Sequence, residues 1–208
     1  MTAKSIQNKI RVAYANCAVT PYRVRHIEEL HQDTYLYVED LPEDLTASEW
    51  LPILRNSVGD DALCNKYLFL GACTIVSVAL ATLWNCEVMK VRMPSHRRII
   101  RVTADPSVKV SELLPTDMEV IYHTDHLLLT KWCLQTGKRL VMDCTGVQFD
   151  WDPFILNQWV PLETYVRTTG VTSSSIMHPD AYLTCSPRTA QEKQHQAAMR
   201  AMIRVLRG

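Results

Sequence analysis

From Tyr67 to Trp84 the chain runs without a charge, YLFLGACTIVSVALATLW, while the segments around it mix apolar and charged positions. A run of this length reaches the lower limit for a membrane span. The cluster Gly71, Ala72, Cys73 and Thr74 interrupts it early, however, and no second apolar segment accompanies it. The pattern therefore predicts a helix that begins near Thr74 and is buried on all sides of a domain core. Upstream, YLYVEDL (35–41) alternates as a short strand does. DLTASEWLPILRNSVG carries a capping box, Thr46 with Glu49, and predicts a helix closed by Gly59 and made irregular by Pro52.

Downstream, CEVMKVRM and RRIIRVTA are separated by Pro94, Ser95 and His96, which predicts two strands joined by a turn. DHLLLTKWC and KRLVMDCT, joined by Leu134, Gln135, Thr136 and Gly137, form the strongest hairpin signal. From Pro187 to Gly208 the period becomes helical: Ala198, Met202, Val205 and Leu206 share one face, and Arg200, Arg204 and Arg207 follow at spacings of four and three. The mixture reads as α+β or α/β. We adopt α+β: a central buried helix packed on an antiparallel sheet, one domain over 1–186, and a basic amphipathic C-terminal helix over 187–208.

A chain of 208 residues, 47% apolar and 21% charged, is long enough for one substantial core and short for two. Lysine plus arginine and aspartate plus glutamate both number 22, so no overall bias announces a nucleic acid or a membrane. The start, MTAKSIQNKIRVAYA, lacks the apolar core and cleavage site of a secretory signal. Seven cysteines without a CxxC pair weaken both disulfide and zinc-ribbon readings. A cytoplasmic protein with reduced thiols, no metal and no membrane contact is expected.

Cys73 follows Gly71 and Ala72 where the helix is predicted to start. A thiol there faces unpaired backbone N–H groups and the positive end of the helix dipole, which lowers its pKa and provides donors for an oxyanion. A thiol nucleophile needs a base, and the base an orienter. His126 opens one strand of the predicted hairpin and Asp143 closes the other. A turn near Leu134 and Gln135 brings them together, whereas a turn centred two residues later separates them. His123 is the alternative base if the register differs. Asp143 itself has two readings, orienter of an imidazole or cap of the turn that opens at Gly146.

The order Cys73, His126, Asp143, with glycine and a small residue before the cysteine, aliphatics after the histidine and the acid within DCTGVQF, resembles the transglutaminase-like branch of the papain-like fold. Arylamine N-acetyltransferases and bacterial glutamine deamidases share that order. The resemblance covers about residues 68–150. It implies Cys73 as nucleophile, His126 as general base and acid, Asp143 as orienting carboxylate, and Gln148 as a polar neighbour. Thr74 stands where an aromatic often follows the cysteine, and no tryptophan adjoins His126 in sequence.

In chain size, triad type and basic surface the chain is also similar, more distantly, to the small fungal arginine-containing cyclodipeptide synthases. That likeness implies an aminoacyl-tRNA or other acyl donor, a small amino-acid acceptor and no cofactor. The tRNA contacts would fall to Arg97, Arg98 and Arg101 of KVRMPSHRRIIR (90–101) and to Arg200, Arg204 and Arg207.

Plainer readings stand beside these. Cys73 is equally a small buried hydrophobe, and the arginines equally solvated faces. His123 and His126, with Cys133 or Cys144, match no closed zinc pattern. Trp151, Phe154 and Trp159 are expected to pack over the sheet, one of them at the edge of a substrate pocket; with His123, Thr74 and Gln148, Trp151 completes the expected substrate-binding set. The expected function is cysteine-nucleophile acyl transfer, first amide formation from an aminoacyl donor, then deamidation or hydrolysis with the same triad. The competing class is a non-catalytic binding module.

Overall fold

The computed structural model describes residues 3–94, 98–121, 125–151 and 156–208. In chain order its elements are α1 (Ala3–Ala18), β1 (Tyr22–Leu30), β2 (Asp33–Asp40), α2 (Ala47–Val58), α3 (Asp61–Leu68), α4 (Cys73–Trp84), β3 (Glu87–Arg92) and β4 (Arg98–Val102). There follow β5 (Met118–Ile121), β6 (Asp125–Cys133), β7 (Lys138–Met142), β8 (Val160–Pro161), α5 (Leu162–Thr169), β9 (Thr172–Met177), α6 (Asp180–Thr184) and α7 (Ala190–Arg207). The class is α+β. The chain divides into two compact units, one of Met1–Val19, Asn65–Pro94 and Asp125–Gly208, the other of Thr20–Cys64 and Ser95–Thr124.

The second unit is a mixed sheet in the order β1-β2-β4-β5, with β2 and β4 parallel and the other pairs antiparallel. Helix α2 covers it through Trp50 and Leu54, both fully buried. Glu49 Oε2 accepts from the Thr46 N–H at 2.8 Å, as the capping box predicts. Gly59 ends the helix at φ 96° with its N–H on the Arg55 carbonyl, a left-handed position that a residue without Cβ occupies at no steric cost. The helix runs unbroken through Pro52, contrary to the irregularity expected there.

The first unit holds an antiparallel sheet in the order β8-β7-β6-β3-β9. Helix α4, buried from Ile75 to Ala81, packs on β6 and β3, and α7 packs on α4 and α1. The expected hairpin forms as β6 and β7, and Gly137 takes φ 61° in its turn.

Three expectations are decided by these elements. The helix expected to begin near Thr74 begins at Cys73: within the uncharged run 67–84, α3 ends at Leu68, Gly71 turns the chain at φ 69°, and the axis of α4 is bent 89° from that of α3. At about 1.5 Å per residue α4 is roughly 18 Å long, short of the roughly 30 Å of a bilayer core. Among the described residues no single helix is long and apolar enough to cross a membrane. Secondly, β3 and β4 do not pair with each other but lie in different sheets, β3 between β6 and β9, β4 between β2 and β5. Of their expected turn, Ser95 and His96 lie outside the described residues. Thirdly, the buried side of α7 is formed by Gln196, Ala198, Met199, Met202 and Ile203, and Val205 is 53% exposed. At 100° per residue that buried arc centres between Met202 and Met199, so Val205 falls beyond its edge.

Candidate active site

Four elements of the first unit converge on one buried cluster. Cys73 is the first residue of α4, His126 the second of β6, Asp143 follows β7, and Tyr165 lies in α5. His126, Asp143 and Tyr165 are fully buried and Cys73 nearly so.

The hairpin register explains how His126 and Asp143 meet. Cys133 pairs with Lys138 and Leu129 with Met142, so continuing the ladder places Asp143 opposite Leu128 and not opposite His126. Residues two apart on a strand share a face, and diagonal neighbours lie within reach of long side chains. The turn is centred one residue later than the register that would set them directly opposite, and the diagonal pair still closes: His126 Nε2 donates to Asp143 Oδ2 at 2.9 Å.

The two carboxylate oxygens of Asp143 have different partners. Oδ1 accepts the backbone N–H groups of Thr145 (3.0 Å) and Gly146 (2.8 Å) and so caps the turn. Oδ2 accepts from His126 and from the Tyr165 hydroxyl (2.8 Å). Its carbonyl takes the Asn157 N–H at 2.7 Å, which ties down the segment after the turn. Gly146 is required by space: a Cβ there would lie 2.3 Å from Asp143 Oδ2 and 2.8 Å from both Leu156 and Trp151.

With Nε2 committed to Asp143, Nδ1 is the nitrogen left for the thiol. It is buried and makes no aligned hydrogen bond, while the charge and thiol that act on the ring after Asp143 are those of Cys73. Two aromatic rings hold the imidazole edge-on, Phe149 with centroids 4.9 Å apart and Trp151 at 5.5 Å. The tryptophan absent beside His126 in sequence thus arrives from the loop after Asp143.

The electrostatics follow from this enclosure. Burial alone would lower the His126 pKa, but the Asp143 charge and hydrogen bond, with Cys73, push it up to about 10. Burial would raise Asp143, and the His126 charge with the hydrogen bonds from His126, Thr145 and Tyr165 holds it below the usual carboxylate value. Burial would likewise raise Cys73; His126, the Leu127 backbone N–H and Thr74 outweigh it, and the thiol pKa is lowered. These directions favour the thiolate–imidazolium form over the neutral pair and keep the carboxylate charged. Helix α4 adds its own contribution, since Cys73 is its first residue and the positive end of the helix dipole lies at that end.

Cys86 and Cys144 are as buried as Cys73, but burial raises Cys86 to about 11, and burial with the Asp143 charge raises Cys144. Iodoacetamide at pH 7, followed by peptide mass spectrometry, is therefore expected to alkylate Cys73 at least about tenfold faster than Cys86 or Cys144, because the thiolate is the reacting form. Equal rates at the three sites would contradict the ion pair.

Of the expected substrate-binding residues, Thr74 is half-buried beside the thiol and Trp151 half-buried against His126. Gln148 serves as a brace. Its Oε1 accepts the Gly71 N–H at 3.2 Å and its Nε2 donates to the Thr145 carbonyl at 3.0 Å, so it fixes the turn before α4 to the loop after Asp143. Lys66 and Asp150 add an ion pair at 2.7 Å between α3 and the same loop. His123 and Phe154 lie outside the described residues. Trp159 is half-buried, with the Lys131 ammonium 4.1 Å from its ring centre.

Arg98 pairs with Asp33 and Arg101 with Asp40 in the second unit. Arg200 donates to the Leu183 carbonyl at 2.7 Å, Arg204 and Arg207 are exposed on α7, and Arg97 lies outside the described residues. Among the described residues no group of three His, Cys, Asp or Glu side chains is placed to hold a metal.

Sequence reasoning missed Tyr165 and α1, which brings Tyr14 within electrostatic reach of Cys73. The traces that α5 left in the sequence were a proline, Pro161, just before its first residue, an acid, Glu163, in its first turn, and the helical spacing of Leu162, Tyr165 and Val166. No protein-family model, curated protein or solved structure matches the chain.

Proposed function

We propose that the protein is a cysteine-nucleophile acyltransferase that works through a thioester on Cys73. The observation that carries the reading is the buried His126–Asp143 hydrogen bond of 2.9 Å, which leaves the imidazole's other nitrogen for a thiol at the start of α4. A full, dry and charge-bearing assembly of this kind is expensive to bury, and perturbed groups of this sort concentrate at reactive sites.

In the proposed reaction the Cys73 thiolate attacks an acyl carbonyl. The oxyanion forms beside the first-turn N–H groups of α4, and His126 gives its Nδ1 proton to the leaving group as the carbon–leaving-group bond breaks. An amine then attacks the thioester carbonyl, His126 takes the amine's proton, and the Cys73 thiolate departs, leaving an amide. Asp143 stays ionised and stabilises the imidazolium throughout. The papain-like resemblance supports this assignment of roles. An aminoacyl donor such as aminoacyl-tRNA and a small amino-acid acceptor give the most concrete form of the reaction; water as acceptor gives hydrolysis or deamidation.

The test is expression of the wild type beside Cys73→Ala, with small molecules of the two cultures compared by mass spectrometry and the purified proteins weighed intact. A product or an acyl adduct present only with Cys73 is expected, and its mass names the acyl group. Identical cultures and no adduct, together with no ammonia release from glutamine substrates, would overturn the enzymatic reading in favour of a binding module.

A further inference from the structure

We infer that Tyr165 is a positioning residue of this site, whose hydroxyl holds the Asp143 carboxylate in the ionised form that His126 needs. The inference rests on the proposed triad and goes one residue beyond it. Tyr165 comes from α5, a different element from those that carry the triad, and its ring is fully buried. Its hydroxyl donates at 2.8 Å to Oδ2, the same oxygen that accepts from His126 at 2.9 Å. The edge of the Trp151 ring system meets the Tyr165 ring at 87° with centroids 5.6 Å apart, and Trp151 in turn meets His126, so the phenol is held by the aromatic wall that holds the imidazole.

The role follows from the arrangement of donors. A carboxylate with no solvent contact takes up a proton unless donors replace the lost water. Oδ1 has two backbone donors, and on Oδ2 the only described donor besides the triad histidine is Tyr165. Without the phenol, Asp143 is protonated at higher pH, the imidazolium loses its counter-charge, and its proton returns to the Cys73 thiolate. Among the described residues, the other titratable groups that act on the cluster are Tyr14 of α1, Tyr182 of α6 and Cys144. All three are raised by burial, the tyrosines also by the charge of Cys73 and Cys144 by that of Asp143, so they stay protonated over the range of interest.

The readout is the pH dependence of Cys73 alkylation by iodoacetamide, followed by peptide mass spectrometry, in the wild type and in Tyr165→Phe. The acid limb is expected to move up by roughly half to one pH unit, the scale of a typical net hydrogen bond, with a rate at pH 6 lower by about three- to tenfold. A purely structural role would lower stability and leave the limb in place. Replacement of Tyr165 by 3-fluorotyrosine, a stronger donor of nearly the same shape, is expected to move the limb the opposite way, and it keeps the test open if Tyr165→Phe does not fold. A limb unchanged in both variants overturns the inference about Tyr165. A wild type whose Cys73 reacts no faster than Cys86 overturns the triad itself, so the two failures are distinguishable.

Discussion

Asp143→Ala is expected to destabilise the fold by at least about 3 kcal/mol, the scale for removing one partner of a buried pair, and to abolish the enhanced reactivity of Cys73. The substitution removes the acceptor of His126 Nε2, the Tyr165 hydroxyl and the N–H groups of Thr145 and Gly146, all at a side chain with no solvent contact. Those donors are left without partners, and His126 can avoid an unpaired charge only by giving up its proton. The pH dependence adds a second handle. The folded pKa of Asp143 is depressed, so its contribution is present above the unfolded value of about 3.9 and is lost as pH falls through the folded value. His126 is raised, so its contribution is present below the unfolded value of about 6.5 and is lost as pH rises towards about 10. The stability gap between wild type and Asp143→Ala in urea titrations should therefore narrow in acid, below the carboxylate range. A gap that stays constant from pH 7 down to pH 2 would mean that the carboxylate's charge plays no part.

What the sequence revealed was local. The β6–β7 hairpin was legible because strand period, glycine position and loop length agree, and α2 because its capping box and Gly59 bracket a helical period. Hairpin geometry then carried His126 and Asp143 together, since both lie within one local motif. Other parts depend on long-range pairing. CEVMKVRM and RRIIRVTA read as neighbours because a proline-containing turn lies between them, yet β3 finds its partners much further along the chain, in β6 and β9, and nothing in a strand's own pattern names its partner. Within the run 67–84 an apolar turn and an apolar helix carry the same hydropathy, so the small residues from Gly71 marked where α4 begins while α3, which ends at Leu68, went unread. Tyr165 was invisible for a related reason. A tyrosine on an amphipathic helix reads as packing, and its hydroxyl acquires meaning only when the fold sets a carboxylate 2.8 Å away.

Gly146→Ala is expected to cost about 2 kcal/mol or more, within the range of overpacked core sites, and to disable the site without touching any of its chemical groups. The added methyl would meet Asp143 Oδ2 on one side and Leu156 and Trp151 on the other. The backbone cannot retreat easily, since the Gly146 N–H is bonded to Asp143 Oδ1 and Gln148 fastens the same loop to Gly71. Relief must therefore come from the carboxylate or from Trp151, and each of these contacts His126. Gly137→Ala is the matching control. That glycine has open space around it but φ 61°, so alanine there costs about 1 kcal/mol of backbone strain in the hairpin turn and leaves the cluster alone. Thermal melting should show both variants destabilised, while Cys73 alkylation at pH 7 should fall in Gly146→Ala and stay at the wild-type rate in Gly137→Ala. If Cys73 keeps its reactivity in a folded Gly146→Ala protein, the thiolate does not depend on the fit between Asp143 and His126, and the dipole of α4 with the Leu127 and Thr74 contacts must sustain it instead.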